Sequence, residues 1–233
     1  YGADILRLWV MNTDYADDQR IGQEIIKTNV DAYRRLRNTL RWMLGTLAHY
    51  DGSKPAGMPE LERYMLHRLA ETETLVLKAY RDFDFKKAFS AIFNLMNTDM
   101  SSFYFDIRKD ALYCDPVASA RRKAALHVVE QLFRSVVTWL APMLPFTTDE
   151  AWMHRYGEDG PSVHLEPFAA CDPAWQQPAL NARWEKIRKI RRLVTGALEV
   201  ERAEKRIGSS LEAAPVVYIK DDALRSIIEN VDD

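Results

Sequence analysis

Apolar side chains recur every three or four positions from about residue 23 to 48, at Ile26, Val30, Tyr33, Leu36, Leu40, Met43, Leu44 and Leu47. That spacing gathers them on one face of a long helix and leaves the other face polar. The loop "YDGSKPAGMP" ends the run, and a second helix is predicted from about Pro59, a suitable first helical residue, to Asp82, with Leu61, Met65, Leu69, Val76 and Tyr80 inward. A third starts near Asp84 and carries Phe85, Phe89, Ile92, Phe93, Met96, Met100 and Phe103 toward "YFDIRKDALY". Pro116 is read as opening a fourth, which ends at "WLAPMLP" where two prolines break it. Two shorter helices are predicted, "GADILRLWVM" at residues 2–11 and "PFTTDEAWMHRYG" with Gly157 at its end. Long helices joined by short loops predict a mainly α fold, an antiparallel helical bundle over 1–157.

The pattern changes after that point. Residues 158–177 read as a Pro-rich crossing segment with one short strand at Ser162 to Leu165. A basic helix follows within 178–208 and is expected to pack on the bundle. In 209–233, "VVYI" reads as a strand and "DDALRSII" as a helix, the start of a small, truncated α/β unit. A sheet cut after one strand is a poor independent structure, so irregularity is expected after about Gly208.

Composition supports the helical reading. Gly and Pro number only 9 and 10 in 233 residues, and 47% of the chain is hydrophobic. A domain of this size can bury roughly 70% of its unfolded surface. Cys114 and Cys171 lie far apart, which suggests neither a disulfide framework nor a thiolate zinc site and fits a reducing, cytoplasmic setting. No apolar run approaches the ~20 residues of a membrane span. No signal peptide opens the chain, and both Tyr1 and the acidic "ENVDD" read as cuts in a longer protein.

Charge alters this picture of an ordinary bundle. The formal net charge is only -2, yet "YRRLRNTLRWML" places Arg34, Arg35, Arg37 and Arg41 in eight positions. At about 100° per residue, Arg34, Arg37, Asn38 and Arg41 share one stripe beside the apolar face, whereas Arg35 and Trp42 point elsewhere. Arginine presents a planar fork of donors to phosphate or a base edge, and asparagine can pair with adenine. The same side chains also suit a solvated face paired with acids such as Asp31. A second basic segment, "RWEKIRKIRR", contributes to nine basic against four acidic residues between 175 and 210. Positive charge is therefore segregated, and segregated positive charge attracts polyanions.

Aromatic rings can stack on unpaired bases. Trp42, Phe103, Tyr104 and Phe105 are the candidates, Trp42 foremost because it faces away from its helix's main apolar stripe. Catalytic chemistry finds no support. The sequence has no Gly-rich phosphate loop, no Cys or His cluster at metal spacing and no nucleophile elbow. His49, His67, His127, His154 and His164 are scattered.

Six strings in order, "GADILRLWVMNTDYADDQRI", "AYRRLRNTLRWMLGTL", "MSSFYFDIRKDALY", "LAPMLPFTTDEAW", "SVHLEPF" and "EKRIGSSLEAAPVV", resemble the segment that follows the catalytic domain in the bacterial-type isoleucyl-tRNA synthetase family. Valyl and leucyl enzymes share the architecture, but "SSFYFDIRKDALY" and "RIGSSLEA" are closest to the isoleucyl pattern. Phe146 stands where family members often have His. The resemblance implies a non-catalytic anticodon-binding domain whose partner is isoleucine tRNA. It implies base or anticodon-loop contacts by Arg34, Arg37, Asn38, Arg41 and Trp42, and backbone contacts by Arg188, Arg191 and Arg192. No cofactor is expected in this chain, and neither the "HIGH" and "KMSKS" signatures nor the editing and zinc modules occur in it. ATP and zinc are expected of the parent enzyme, which would be a cytoplasmic monomer with its catalytic domain in cis. The competing expectation is a helical protein-binding scaffold, for which "FKKAFSAIFNLM" and "SSFYF" would have to supply an exposed apolar patch.

Overall fold

A computed structural model describes residues 1–229 and 231. The chain divides into two compact units, one spanning Tyr1–Gln176 and the other running from Gln177 onward. In the first unit the helices are α1 (Ala3–Met11), α2 (Gln23–Leu47), α3 (Glu60–Arg81), α4 (Phe85–Asn94), α5 (Phe105–Cys114), α6 (Ala120–Leu140) and α7 (Pro145–Tyr156).

The core is built around α6. Leu132, Phe133, Val136, Val137, Trp139 and Leu140 are all fully buried, and α6 packs against α2, α3, α5 and α7. A helix buried on nearly all sides sits at the centre of its bundle. Its start differs from the sequence expectation. Pro116 belongs to a turn, and the helix begins at Ala120 because the Ser119 side chain accepts the Arg122 backbone N–H as its N-cap. Gly157 closes α7 at φ 101, a conformation for which glycine is suited, and its N–H bonds the Met153 carbonyl.

The helix expected from Asp84 onward is not one continuous α-helix. Between α4 and α5, Leu95–Tyr104 forms a π-helical segment. Its buried positions come in pairs every four residues, at Leu95 and Met96, Asp99 and Met100, Phe103 and Tyr104. The wider i→i+5 turn carries these pairs on the inner side of the segment. Ser101 and Ser102 support it by donating their hydroxyls to the carbonyls of Met96 and Asn97, five residues back, at 2.9 and 2.8 Å. The end of the segment and the start of α5 are tied to α3 by a buried ion pair. Arg108 donates to both carboxylate oxygens of Glu62 at 2.7 and 2.8 Å, and the Tyr104 hydroxyl adds a bond of 3.0 Å.

The strand expected at Ser162 to Leu165 is instead a 3₁₀ turn, Val163–Leu165, capped by the Ser162 side chain. In the second unit, α8 (Pro178–Ala203) and α9 (Asp222–Glu229) form as the sequence indicates, but "VVYI" does not form a strand. Val216, Val217 and Tyr218 are exposed, and no strand occurs among the described residues to pair with them. A lone strand leaves its backbone donors and acceptors without a ladder. The described chain is therefore all-helical, and residues 209–221 carry only the 3₁₀ turn Ser210–Glu212.

Candidate nucleic-acid interface

Helix α2 buries Leu36, Thr39, Leu40, Met43 and Leu47, and Arg34, Asn38 and Arg41 form an exposed ridge opposite them, rather than beside the apolar face as the sequence predicts, while Arg37 leans toward α7. A cleft borders the ridge on each side. Toward α7, a cleft of about 450 Å³ is lined by Arg37, Arg41, Leu44, Glu150 and His154 over a floor of Leu40 and Ala151. Toward the π segment and α5, a shallow trough of about 350 Å³ is lined by Asn38, Thr39, Trp42, Ser101, Phe105, Asp106, Lys109 and Tyr113.

The arginines differ in how free they are. Arg34 lies 3.6 Å from Asp31, both exposed, as the solvated-face reading expects. Arg37 is held more firmly, donating to the two Glu150 oxygens at 2.9 and 3.1 Å and to the Tyr33 hydroxyl at 3.4 Å. These bonds raise the Arg37 pKa above its ordinary value, and the Arg37 bond holds the Glu150 carboxyl below its own. Arg41 is exposed and makes no ion pair among the described residues, and neither does Arg35. The Asn38 amide is likewise exposed and without a partner.

Arg37 stands at the end of a hydrogen-bond chain that starts in α1. Asp4, buried, accepts the Thr147 N–H at 2.8 Å and the Thr147 hydroxyl at 2.6 Å, capping the N-terminus of α7. Thr147 Oγ1 lies 2.9 Å from the Tyr33 hydroxyl, which meets Arg37. A carboxylate at a helix N-terminus satisfies otherwise orphaned amides and suits the helix dipole. The chain links α1, α7 and α2 on the α7 side of the ridge.

Trp42 is not the free ring that its angular position suggested. It is half-buried, stacked on Phe105 with centroids 4.0 Å apart and 21° between planes, and packed against the cluster of Leu112, Ala125 and Leu126. Its indole N–H donates to the Tyr113 hydroxyl at 2.6 Å. Phe103 and Tyr104 are buried on the inner side of the π segment, and Phe105, buried against Trp42 at the start of α5, borders the trough. Phe89 and Ile92 are buried as well, and Phe85 and Phe93 are half-buried, so this segment turns most of its apolar surface inward. In α8, Arg188 and Arg191 are half-buried and engaged, whereas Arg192 is exposed.

Sequence reasoning missed Glu150, His154, Lys109 and Tyr113. Lys109 and Tyr113 sit four residues apart in "DIRKDALY", a helical spacing that could have paired them, but nothing local associates Glu150 with Arg37. Among the described residues, no group of three or more His, Cys, Asp or Glu side chains could hold a metal ion. No described helix is long and apolar enough to cross a membrane.

Residues 62–218 match the family model described as the anticodon-binding domain of tRNA ligase, and the chain belongs to that family. Within this class it is similar to isoleucine–tRNA ligases. It is 58% identical to that of Bartonella henselae over 234 residues, covering 100% of this chain and 24% of the relative. It is 60% identical to that of Agrobacterium fabrum over 233 residues, covering 99% and 24%. The chain thus spans about a quarter of the length of these relatives, and both alignments include α2, which precedes the family-model match. The fold resembles part of a crystal structure of the ternary complex of Agrobacterium radiobacter K84 agnB2 LeuRS, tRNA and LeuAMS. That likeness has a TM-score of 0.55 at 17% identity, over 75% of this chain and 20% of the other.

Proposed function

We propose that this chain is the portion of an isoleucine–tRNA ligase that grips the anticodon stem and loop of isoleucine tRNA. The observation that carries the proposal is the α2 ridge, where Arg41 and Asn38 stand exposed and unpaired between two clefts. An unpaired guanidinium can meet a phosphate or a base edge without breaking an internal bond, and a neighbouring amide adds base-edge pairing. Arg34 and Arg37 extend the same surface once their acid partners yield. The exposed Arg192, with Arg188 and Arg191, serves the RNA backbone from α8 and positions without reading sequence.

On this proposal the chain does no chemistry. Joining isoleucine to tRNA at the expense of ATP falls to the parent's catalytic domain. Zinc belongs to another module of the parent, which acts as a cytoplasmic monomer.

The test is binding of the chain to transcribed isoleucine tRNA, and to the same tRNA with its anticodon replaced, across a salt series. Neutralising roughly five phosphates gives a log–log salt slope of about -3.5 with the single-strand coefficient. A slope near zero defeats the proposal. Salt-sensitive binding without discrimination restricts the chain to the stem.

A further inference from the structure

The trough between α2 and α5 combines features that no single helix supplies. Tyr113, on α5, is 62% exposed although its hydroxyl accepts the Trp42 indole N–H. Trp42 is in turn stacked on the buried Phe105. The phenol is therefore anchored at its oxygen while its ring remains largely in solvent. An ordinary exposed tyrosine turns freely; this one is held at the rim of a trough, and a held ring loses less entropy when a ligand lies on it.

The polar groups around the ring are complementary to a nucleotide. Across the trough the Asn38 amide has no partner. Lys109 is exposed, one turn before Tyr113, and its ammonium donates to Asp106 at 3.1 Å. An amide and a carboxylate can pair with a base edge, and an ammonium can meet a phosphate. The far wall is set by Thr39 and Ser101, whose hydroxyls lie 2.9 Å apart and hold α2 against the π segment. Phe105 closes the floor.

We propose that this trough seats one unpaired RNA nucleotide, its base stacked on Tyr113, its edge met by Asn38 and Asp106, and its phosphate by Lys109. Trp42 is then a positioning residue, acting through Tyr113. The proposal rests on the RNA-binding reading and specifies which side of the ridge takes a base.

The experiment compares the chain with its Tyr113→Ala and Tyr113→Phe variants in binding isoleucine tRNA, with thermal melting as a control for folding. Loss of a base-stacking ring predicts roughly 10-fold weaker binding for Tyr113→Ala, with Tyr113→Phe within about threefold of the parent chain. A second readout is photo-crosslinking of tRNA carrying 5-iodouridine in its anticodon loop, with Tyr113 as the expected adduct. Unchanged binding by Tyr113→Ala, equal losses in the two variants, or adducts that avoid Tyr113 would overturn the seat while leaving RNA binding by the parent chain intact. Failure of the parent chain to bind any tRNA would remove the functional reading and this seat together.

Discussion

Arg37 and Glu150 are 113 positions apart in sequence and meet as a two-bond pair at 2.9 and 3.1 Å, bridging α2 and α7 at the edge of the arginine ridge. Both side chains are largely exposed, so the pair contributes no more than about 1 kcal/mol to stability. On the proposed RNA-binding role its importance is to ligand binding, because it places a carboxylate against a cation of the proposed RNA face. Replacing Glu150 by Gln is expected to leave the melting temperature nearly unchanged. It should strengthen tRNA binding severalfold at low salt and steepen the log–log salt slope by about 0.7, as one more cation becomes free. An unchanged slope would mean that Arg37 does not meet the RNA.

On the proposed function, Arg41 and Arg192 are expected to separate base reading from backbone contact. Arg41→Ala should weaken binding to the native anticodon more than to a replaced one, whereas Arg192→Ala should weaken both alike by a factor of a few. Measuring the four affinities at one salt concentration decides the matter. Equal ratios for the two variants would erase the distinction.

The Glu62–Arg108 pair, 0% and 3% exposed, makes a prediction about stability alone. Truncating Arg108 to Ala leaves the Glu62 carboxylate buried beside the Tyr104 hydroxyl without its guanidinium partner, which should cost roughly 3–5 kcal/mol in urea unfolding. Replacing both partners, Glu62→Leu with Arg108→Met, should recover most of that loss. A double variant as unstable as Arg108→Ala would show that the charges themselves are required to hold the π segment.

Phe83 ends α3 in the left-handed region at φ 57, with the Asp84 N–H bonded to the Ala79 carbonyl and its own N–H to that of Tyr80. This is a Schellman closure with phenylalanine at the position usually held by glycine. Lys205 closes α8 in the same way, at φ 57. Relief of the left-handed cost predicts that Lys205→Gly, which removes little packing, stabilises the protein by up to about 1 kcal/mol. Thermal melting checks it, and a fall in melting temperature would refute it.

His127 lies 3.0 Å from the Tyr50 hydroxyl, and burial, reinforced by Lys54, holds its pKa below the ordinary value. The folded state therefore resists protonation more than the unfolded chain does. Stability from this source is complete above about pH 6.5, the ordinary histidine value, and declines as pH falls toward the lowered folded value. The melting temperature should drop between pH 7.5 and 5.5, and His127→Gln should flatten that drop.

The helices were legible in the sequence because their signal is local. Apolar spacing placed α2 at 23 to 48 against an observed Gln23–Leu47, and Gly157 and the prolines near residue 142 marked real ends. That Arg34, Asn38 and Arg41 share a stripe was legible for the same reason, but the stripe lies opposite the buried face and not beside it, and Arg37 leaves it to meet Glu150. Tertiary structure decided what could not be counted along one helix. Whether an arginine is free depends on a carboxylate 113 positions away, and whether Trp42 offers a ring depends on Phe105 and Tyr113. The π segment was likewise not legible, because buried pairs four residues apart fit an α-helical face as well. "VVYI" failed as a strand because a strand is stabilised by its neighbour and none occurs among the described residues. Periodicity determines which face a helix buries, but the partners that meet its exposed face are set only when the helices pack.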